Sequence, residues 1–145
     1  MARMASIIRE TTIATDPADA WDAVTDFGRV HERLAAGFVT DCVPEGHDVR
    51  TVTFVGGATA RERLVGVDHA SRRLAYTVVD GPLPASHHNA SAQIVDDGRT
   101  TRFVWVTDVL PDELAGRVAE LMDRGIDAIK STLEAARTPP EGVGP

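Results

Sequence analysis

The sequence predicts an α+β domain in which a curved antiparallel sheet of seven strands wraps around a long C-terminal helix. Three observations predict this fold. One strand-like segment and two short helix-like segments come first, and six short strand-like segments separated by turn residues follow them. The chain then ends in one long amphipathic segment. Its apolar stripe needs a partner, and only the inner face of the sheet is large enough to provide one.

Each element has its own signal. Alternating apolar residues predict the first strand over residues 6–14. Asp16 can cap a helix that begins at Pro17, while Gly28 separates that helix from a second short one that Gly37 ends. The six later strands are predicted at residues 38–44, 49–55, 58–67, 72–79, 86–96 and 100–109.

The last helix is predicted from about residue 111 to residue 137. Its stripe consists of Leu114, Val118, Leu121, Met122, Gly125, Ile126, Ile129 and Leu133. A glycine in the middle of a helix costs about 1 kcal/mol relative to alanine. Either close packing or room for a ligand could account for Gly125. The domain therefore spans residues 1–137, and residues 138–145, rich in Pro and Gly, are predicted to be a disordered tail.

Composition limits the functional classes. The chain has 145 residues, a normal length for one domain, and its net charge of -7 argues against a nucleic-acid or anionic-membrane surface. Its one cysteine, Cys42, excludes an internal disulfide and is expected to be a half-buried structural thiol. No apolar run is long enough to span a membrane, so we expect a cytoplasmic protein, either a monomer or a homodimer.

The hairpin at Gly56-Gly57 can be formed in two registers. A two-residue turn would place Val52 and Phe54 on the same face as arginines, whereas an odd-numbered loop places them beside apolar residues of the next strand. Burial selects the odd-numbered loop. Arg50 and Glu62 then share the inner face of the sheet, which is costly unless the two charges meet or line a wet cavity.

The hairpin at Asp97-Gly98 is predicted to have a two-residue turn, because that dipeptide favours one. Asp96 would then pair with Arg99, and His88 would lie opposite Thr107. In this arrangement His88 points inward and His87 points outward.

Strand alternation therefore brings several polar groups to an otherwise apolar inner face, which is typical of a ligand pocket. The candidate catalytic residues are Glu62, His88, Tyr76 and Arg50. The candidate pocket residues are Val52, Phe54, Leu64, Leu74, Val78, Ala90, Phe103, Trp105, Thr107, Val118, Met122, Gly125 and Ile129.

Six short motifs in order resemble a known superfamily. They are Trp21-Asp22-Ala23-Val24-Thr25-Asp26-Phe27, Val49-Arg50-Thr51, Arg61-Glu62-Arg63-Leu64, Leu74-Ala75-Tyr76, Pro82-Leu83-Pro84 and Thr101-Arg102-Phe103-Val104-Trp105. The chain resembles the START-like (SRPBCC), helix-grip superfamily, and within it the bacterial polyketide cyclase/dehydrase and lipid-transport branch. The resemblance implies a helix-grip fold and cavity-facing positions for Arg50, Glu62, Tyr76 and Trp105. His88 departs from relatives, which often carry an aromatic residue such as Tyr there.

Three functions remain open at this point. The protein could bind a polyketide-, aromatic- or lipid-like molecule in its cavity without catalysis, or as a carrier. It could instead be a cyclase or dehydratase, in which Glu62 or His88 removes a proton and Arg50 or Tyr76 stabilises the enolate. It could also be a structural or partner-interaction domain whose cavity is closed by side chains.

No cofactor is predicted, because the chain carries neither a phosphate loop nor a dinucleotide fingerprint. No metal is predicted either. His87 and His88 are adjacent in a strand and point to opposite faces, so they cannot chelate one ion.

Overall fold

The computed structural model describes residues 3–136, so the predicted tail at residues 138–145 lies outside the described residues. The strands are β1 (Ala5–Ile13), β2 (Val39–Glu45), β3 (Val49–Phe54), β4 (Thr59–Asp68), β5 (Arg73–Asp80), β6 (His87–Asp96) and β7 (Thr101–Leu110). They form one antiparallel sheet in the order β1-β7-β6-β5-β4-β3-β2. The helices are α1 (Pro17–Thr25), α2 (Val30–Arg33) and α3 (Ala115–Ala135). This confirms the predicted fold class.

The two short helices begin as the sequence predicts, with small differences. The Asp16 carboxylate caps α1 by accepting a hydrogen bond from the Ala18 N–H at 2.9 Å, and Pro17 occupies the first helical position. Gly28 was predicted to separate the two helices; it lies in a 3-10 turn, Phe27–Arg29, that leads directly into α2. This turn carries Phe27 into the core, where its ring and carbonyl meet the sheet.

Helix α3 begins later than predicted, because a 3-10 turn over Asp112–Leu114 precedes it. Polar contacts fix its outer side along β1. The Lys130 ammonium donates to the Thr12 carbonyl oxygen at 2.6 Å, and Arg9 Nε donates to Asp123 at 2.5 Å. Within the described residues, no helix is both long enough and apolar enough to cross a membrane.

The hairpin at Gly56-Gly57 has the register that burial selects. Arg50 pairs with Glu62 and Val52 with Ala60, and the Phe54 N–H donates to the Ala58 carbonyl at 2.8 Å. Three residues therefore form the loop, and both glycines have positive φ angles near +100°. The odd-numbered loop turns Arg50 and Glu62 toward the same interior.

The hairpin at Asp97-Gly98 was predicted wrongly. Asp96 pairs with Thr101 rather than Arg99, so the loop has four residues, and His88 lies opposite Val109 rather than Thr107. The Asp97 carboxylate causes this by accepting hydrogen bonds from the N–H groups of the two residues that complete the loop, Arg99 and Thr100. The shift is two residues, and side chains alternate with a period of two, so each residue keeps its predicted face.

Gly125 lies where α3 packs closely against aromatic rings of the core. A Cβ atom added there would lie 2.9 Å from Trp105 Cζ3 and 3.1 Å from Phe38 Cε2. Of the two explanations for this glycine, the structure supports close packing. The helix can rest against the indole ring of Trp105 only because residue 125 has no side chain.

Gly125→Ala therefore tests this contact. Helix propensity alone predicts a gain of up to about 1 kcal/mol, but the forced shift of the aromatic rings should instead destabilise the fold by about 1–3 kcal/mol. Gly116→Ala, in the same helix with open space around it, is the matched control and should stabilise or be neutral. Urea unfolding of both variants measures the difference. Equal stabilisation by both substitutions would contradict the packing account.

Candidate functional site

A cavity of about 370 Å³ lies between the first half of α3 and the inner face of the sheet. Apolar side chains form most of its wall. The residues around it are Phe38, Phe54, Ala60, Glu62, Tyr76, Val78, Val79, Asp80, Gly81, Pro82, Leu83, Pro84, Ala85, His88, Trp105, Thr107, Val109, Val118, Leu121 and Met122. A second cavity of about 70 Å³ lies deeper in the core and is lined by both Arg50 and Glu62.

The boundary between the two cavities contains a buried ion pair. Arg50 and Glu62 are each only 7% exposed. Arg50 Nε donates to Glu62 Oε1 at 2.8 Å, and Nη2 lies 2.8 Å from the same oxygen. Its Nη1 donates to the Phe27 carbonyl at 3.0 Å, and the guanidinium carbon lies 3.8 Å from the centre of the Phe27 ring. Each nitrogen of this buried arginine thus has a partner, as burial of the charge requires.

Aromatic side chains share this boundary. The Trp105 indole N–H donates to the Tyr76 hydroxyl oxygen at 3.0 Å, which ties β7 to β5 across the inner face. Burial raises the pKa of Tyr76 far above its usual value, and the negative charge of Glu62 raises it further. Tyr76 is therefore a neutral phenol at any physiological pH.

His88 lies where β5 and β6 separate. The backbone pairing of these strands ends at Tyr76 and Ala90, although both strands continue. Beyond that point the Val78 N–H donates to His88 Nδ1 at 3.1 Å, and the Thr77 hydroxyl donates to the His88 carbonyl. Side chains thus replace the missing backbone bonds at the wall of the cavity.

The environment of His88 fixes its protonation state. Burial, with a smaller effect from the charge of His87, lowers its pKa from 6.5 to about 4. Since Nδ1 accepts a hydrogen bond from a backbone N–H, the ring proton lies on Nε2. At neutral pH the ring is uncharged, and Nε2 carries the proton and can donate a hydrogen bond.

Most of the predicted site residues line one of the two cavities. Those at the larger cavity are Phe54, Glu62, Tyr76, Val78, His88, Trp105, Thr107, Val118 and Met122. The smaller cavity adds Arg50, Val52, Leu74, Phe103 and Ile129.

Three predicted pocket residues line neither cavity. Ala90 is 1% exposed, and its short side chain is enclosed by the core. Leu64 packs against that core beside an irregularity in the β4–β5 pairing, between Leu64 and Gly66, which interrupts the strict alternation. Gly125 is covered by the Trp105 ring.

Sequence reasoning missed the mouth of the larger cavity. The loop from Gly81 to Ala85 forms one rim, and Leu83 packs there against the apolar cluster that contains Val118. Phe38 forms another part of the wall. The motif Pro82-Leu83-Pro84 marks this loop in the sequence. The pocket residues were chosen by strand alternation, however, which says nothing about where a loop lies.

No cluster of three or more His, Cys, Asp or Glu side chains that could hold a metal ion occurs in the part of the chain that the structure describes. Cys42 is 7% exposed, and burial raises its pKa. A thiol with a raised pKa is a poor nucleophile.

A sheet that wraps around a long helix, with a cavity between the two, defines a helix-grip protein. The family model described as polyketide cyclase / dehydrase and lipid transport matches residues 4–134, and the chain belongs to that family. This confirms the superfamily and the branch that the motifs resemble. No curated protein sequence matches the chain.

Several solved structures share the fold. An uncharacterized protein from Bacillus thuringiensis is similar with a TM-score of 0.79 and 19% identity, over 89% of this chain and 98% of its own. Ginseng major latex-like protein 151 from Panax ginseng gives 0.78 and 19%, over 94% and 99%. A point mutant of Thalictrum norcoclaurine synthase, in complex with a transition-state analogue, gives 0.70 and 18%, over 92% and 96%.

The low pKa of His88 predicts a pH dependence of stability. Between about pH 6.5 and pH 4 the unfolded chain binds a proton at residue 88 that the folded chain does not bind. The free energy of unfolding should therefore fall as the pH falls through this window, by on the order of 3 kcal/mol for this residue. Urea unfolding at several pH values measures the slope.

His88→Asn should remove this contribution, because the amide oxygen can still accept from Val78 but does not titrate in this range. His87→Asn, at the exposed neighbour, is the control and should keep most of the slope. If His88→Asn and wild type have the same slope, residue 88 is not held neutral as described.

Proposed function

We propose that the protein binds a hydrophobic small molecule, polyketide-, aromatic- or lipid-like, in the larger cavity and holds or carries it without transforming it. The cavity itself carries the proposal. Its volume of about 370 Å³ lies within the range of small-molecule sites, and its wall is apolar apart from a few convergent polar groups. An open cavity of this size argues against a structural domain closed by its own side chains.

The chemistry of the polar groups favours binding over catalysis. A general base works best with a pKa near the operating pH. His88, with a pKa of about 4 and its Nδ1 engaged with Val78, does not meet this condition. Arg50 is engaged with Glu62 and with the Phe27 carbonyl, and it does not line the larger cavity. The raised pKa of Tyr76 keeps it a neutral phenol, so it cannot be the base that removes a proton.

One observation favours the cyclase or dehydratase alternative. Both contacts of Arg50 go to Glu62 Oε1, and among the described residues no hydrogen bond reaches Oε2. That oxygen could accept a proton from a substrate. The family description covers both enzymes and lipid transport, and the similar structures, which are below 25% identity, are evidence for the fold alone. The choice between binding and catalysis therefore depends on the residues of the cavity.

The binding proposal predicts that the uncharged fluorescent probe N-phenyl-1-naphthylamine binds the protein saturably. Leu121→Trp places a bulky ring at the cavity wall and should weaken this binding by about tenfold or more, or ~1.4 kcal/mol. Arg117→Trp, on the exposed side of the same helix, should leave the affinity unchanged. A fluorescence titration of the three proteins measures the effect.

Absence of saturable binding, or equal affinity in all three proteins, would overturn the proposal. Native mass spectrometry of the protein as purified provides a second readout by identifying any retained ligand. If that ligand changes chemically on incubation with the protein, and Glu62→Gln stops the change, the enzyme alternative replaces the binding proposal.

A further inference from the structure

The lining of the larger cavity contains carboxylates but no basic side chain among the described residues. Glu62 and Asp80 line it, and no Lys or Arg among the described residues does. His88 adds no positive charge at neutral pH. The nearest buried cation, Arg50, lines the smaller cavity instead and is engaged there with Glu62 and the Phe27 carbonyl. No cation in the cavity wall is therefore free to pair with an anionic ligand.

Two buried oxygen atoms in the cavity wall have no partner. Glu62 Oε2 and the hydroxyl of Thr107 make no hydrogen bond among the described residues, and Thr107 is only 3% exposed. The only fully enclosed side-chain nitrogen or oxygen without a partner in residues 3–136 is His31 Nδ1, so these two oxygens are not fully enclosed, and both residues line the larger cavity. A polar atom in an apolar wall is stable only if a ligand or water satisfies it.

We propose that the cavity selects an uncharged ligand whose hydroxyl group donates to Glu62 Oε2, and that it discriminates against carboxylates of the same shape. This inference rests on the proposed binding function and narrows the ligand class. Hydroxylated aromatic or polyketide-like molecules fit, and free fatty acids do not. A hydroxyl donor gains a charge-assisted hydrogen bond to the carboxylate.

An anionic ligand would gain no such hydrogen bond and would bind less tightly. Its carboxylate would lose hydration on entering the apolar wall, with no free cation there to compensate, and it could not donate a hydrogen bond to Glu62 Oε2. Asp80, which is exposed and interacts with Arg61, contributes no positive charge to the cavity either. At the wall formed by β6 and β7, the His88 Nε2–H and the Thr107 hydroxyl can donate to a carbonyl or ether oxygen. The matching ligand therefore carries a donor and an acceptor, both uncharged.

Three naphthalene derivatives of similar shape test this selectivity by equilibrium dialysis at neutral pH. They are 2-naphthol, which has a donor, 2-methoxynaphthalene, which lacks one, and 2-naphthoate, which is an anion. We expect 2-naphthol to bind about tenfold or more tightly than 2-naphthoate and about threefold or more tightly than the methyl ether. This ranking in the wild-type protein decides the proposal by itself.

Glu62→Gln is the corresponding variant, and the preference for 2-naphthol over 2-naphthoate should shrink in it to about threefold or less. Glu45→Gln, which removes an exposed carboxylate on the outer side of the sheet, is the matched control and should keep the wild-type ranking. Equal binding of the three compounds, or tighter binding of 2-naphthoate, overturns the selectivity but leaves the binding function standing. Binding of none of them overturns both.

Discussion

The buried pair Arg50–Glu62 is the constraint on which the rest of the interior depends. Two charged side chains, each 7% exposed, are stable in this core only because they contact each other. The register of β3 against β4 brings them opposite each other, and a register slip of one residue would place them on opposite faces of the sheet. Arg50 also binds the carbonyl of Phe27, so the same pair attaches the turn between α1 and α2 to the sheet. One ion pair thus links the register of the sheet, the position of the short helices and the boundary between the two cavities.

The larger cavity lies beside the point where β5 and β6 separate. Pairing between β5 and β6 ends at Tyr76 and Ala90, and the loop that follows β5 lines the cavity. Unpaired backbone groups at this point would be costly. His88 and Thr77 satisfy some of them with their side chains, which keeps the separated strands in place. His88 thus supports the wall while its uncharged ring remains at the cavity.

Much of this fold could be predicted from the sequence, because the face of each strand residue depends only on parity. The two-residue error at the Asp97 hairpin changed every pairing but no face. The position of Glu62 beside Arg50 followed from burial alone. The limit was reached at Leu64, where an irregularity in the β4–β5 pairing interrupts the alternation that parity assumes.

The rest of the site could not be predicted, since it depends on three-dimensional proximity. The sequence placed His88 on the inner face, but its hydrogen bond to Val78 exists only because two strands separate. That contact, together with burial, changes the residue from a candidate base into a neutral donor. Likewise, Gly125 belonged to the apolar stripe, but only the position of the Trp105 ring shows that packing, and not ligand space, explains it.

A double-mutant cycle on Arg50 and Glu62 tests the central claim most directly. If each of the two buried charges is stable only because of the other, Arg50→Leu and Glu62→Leu should each lower the free energy of unfolding by about 3–5 kcal/mol, because each leaves one buried charge without its partner. The double variant should cost much less than their sum, with a coupling energy of about 2 kcal/mol or more. Costs that add to within about 0.5 kcal/mol would contradict the account, because the two side chains would then not depend on each other.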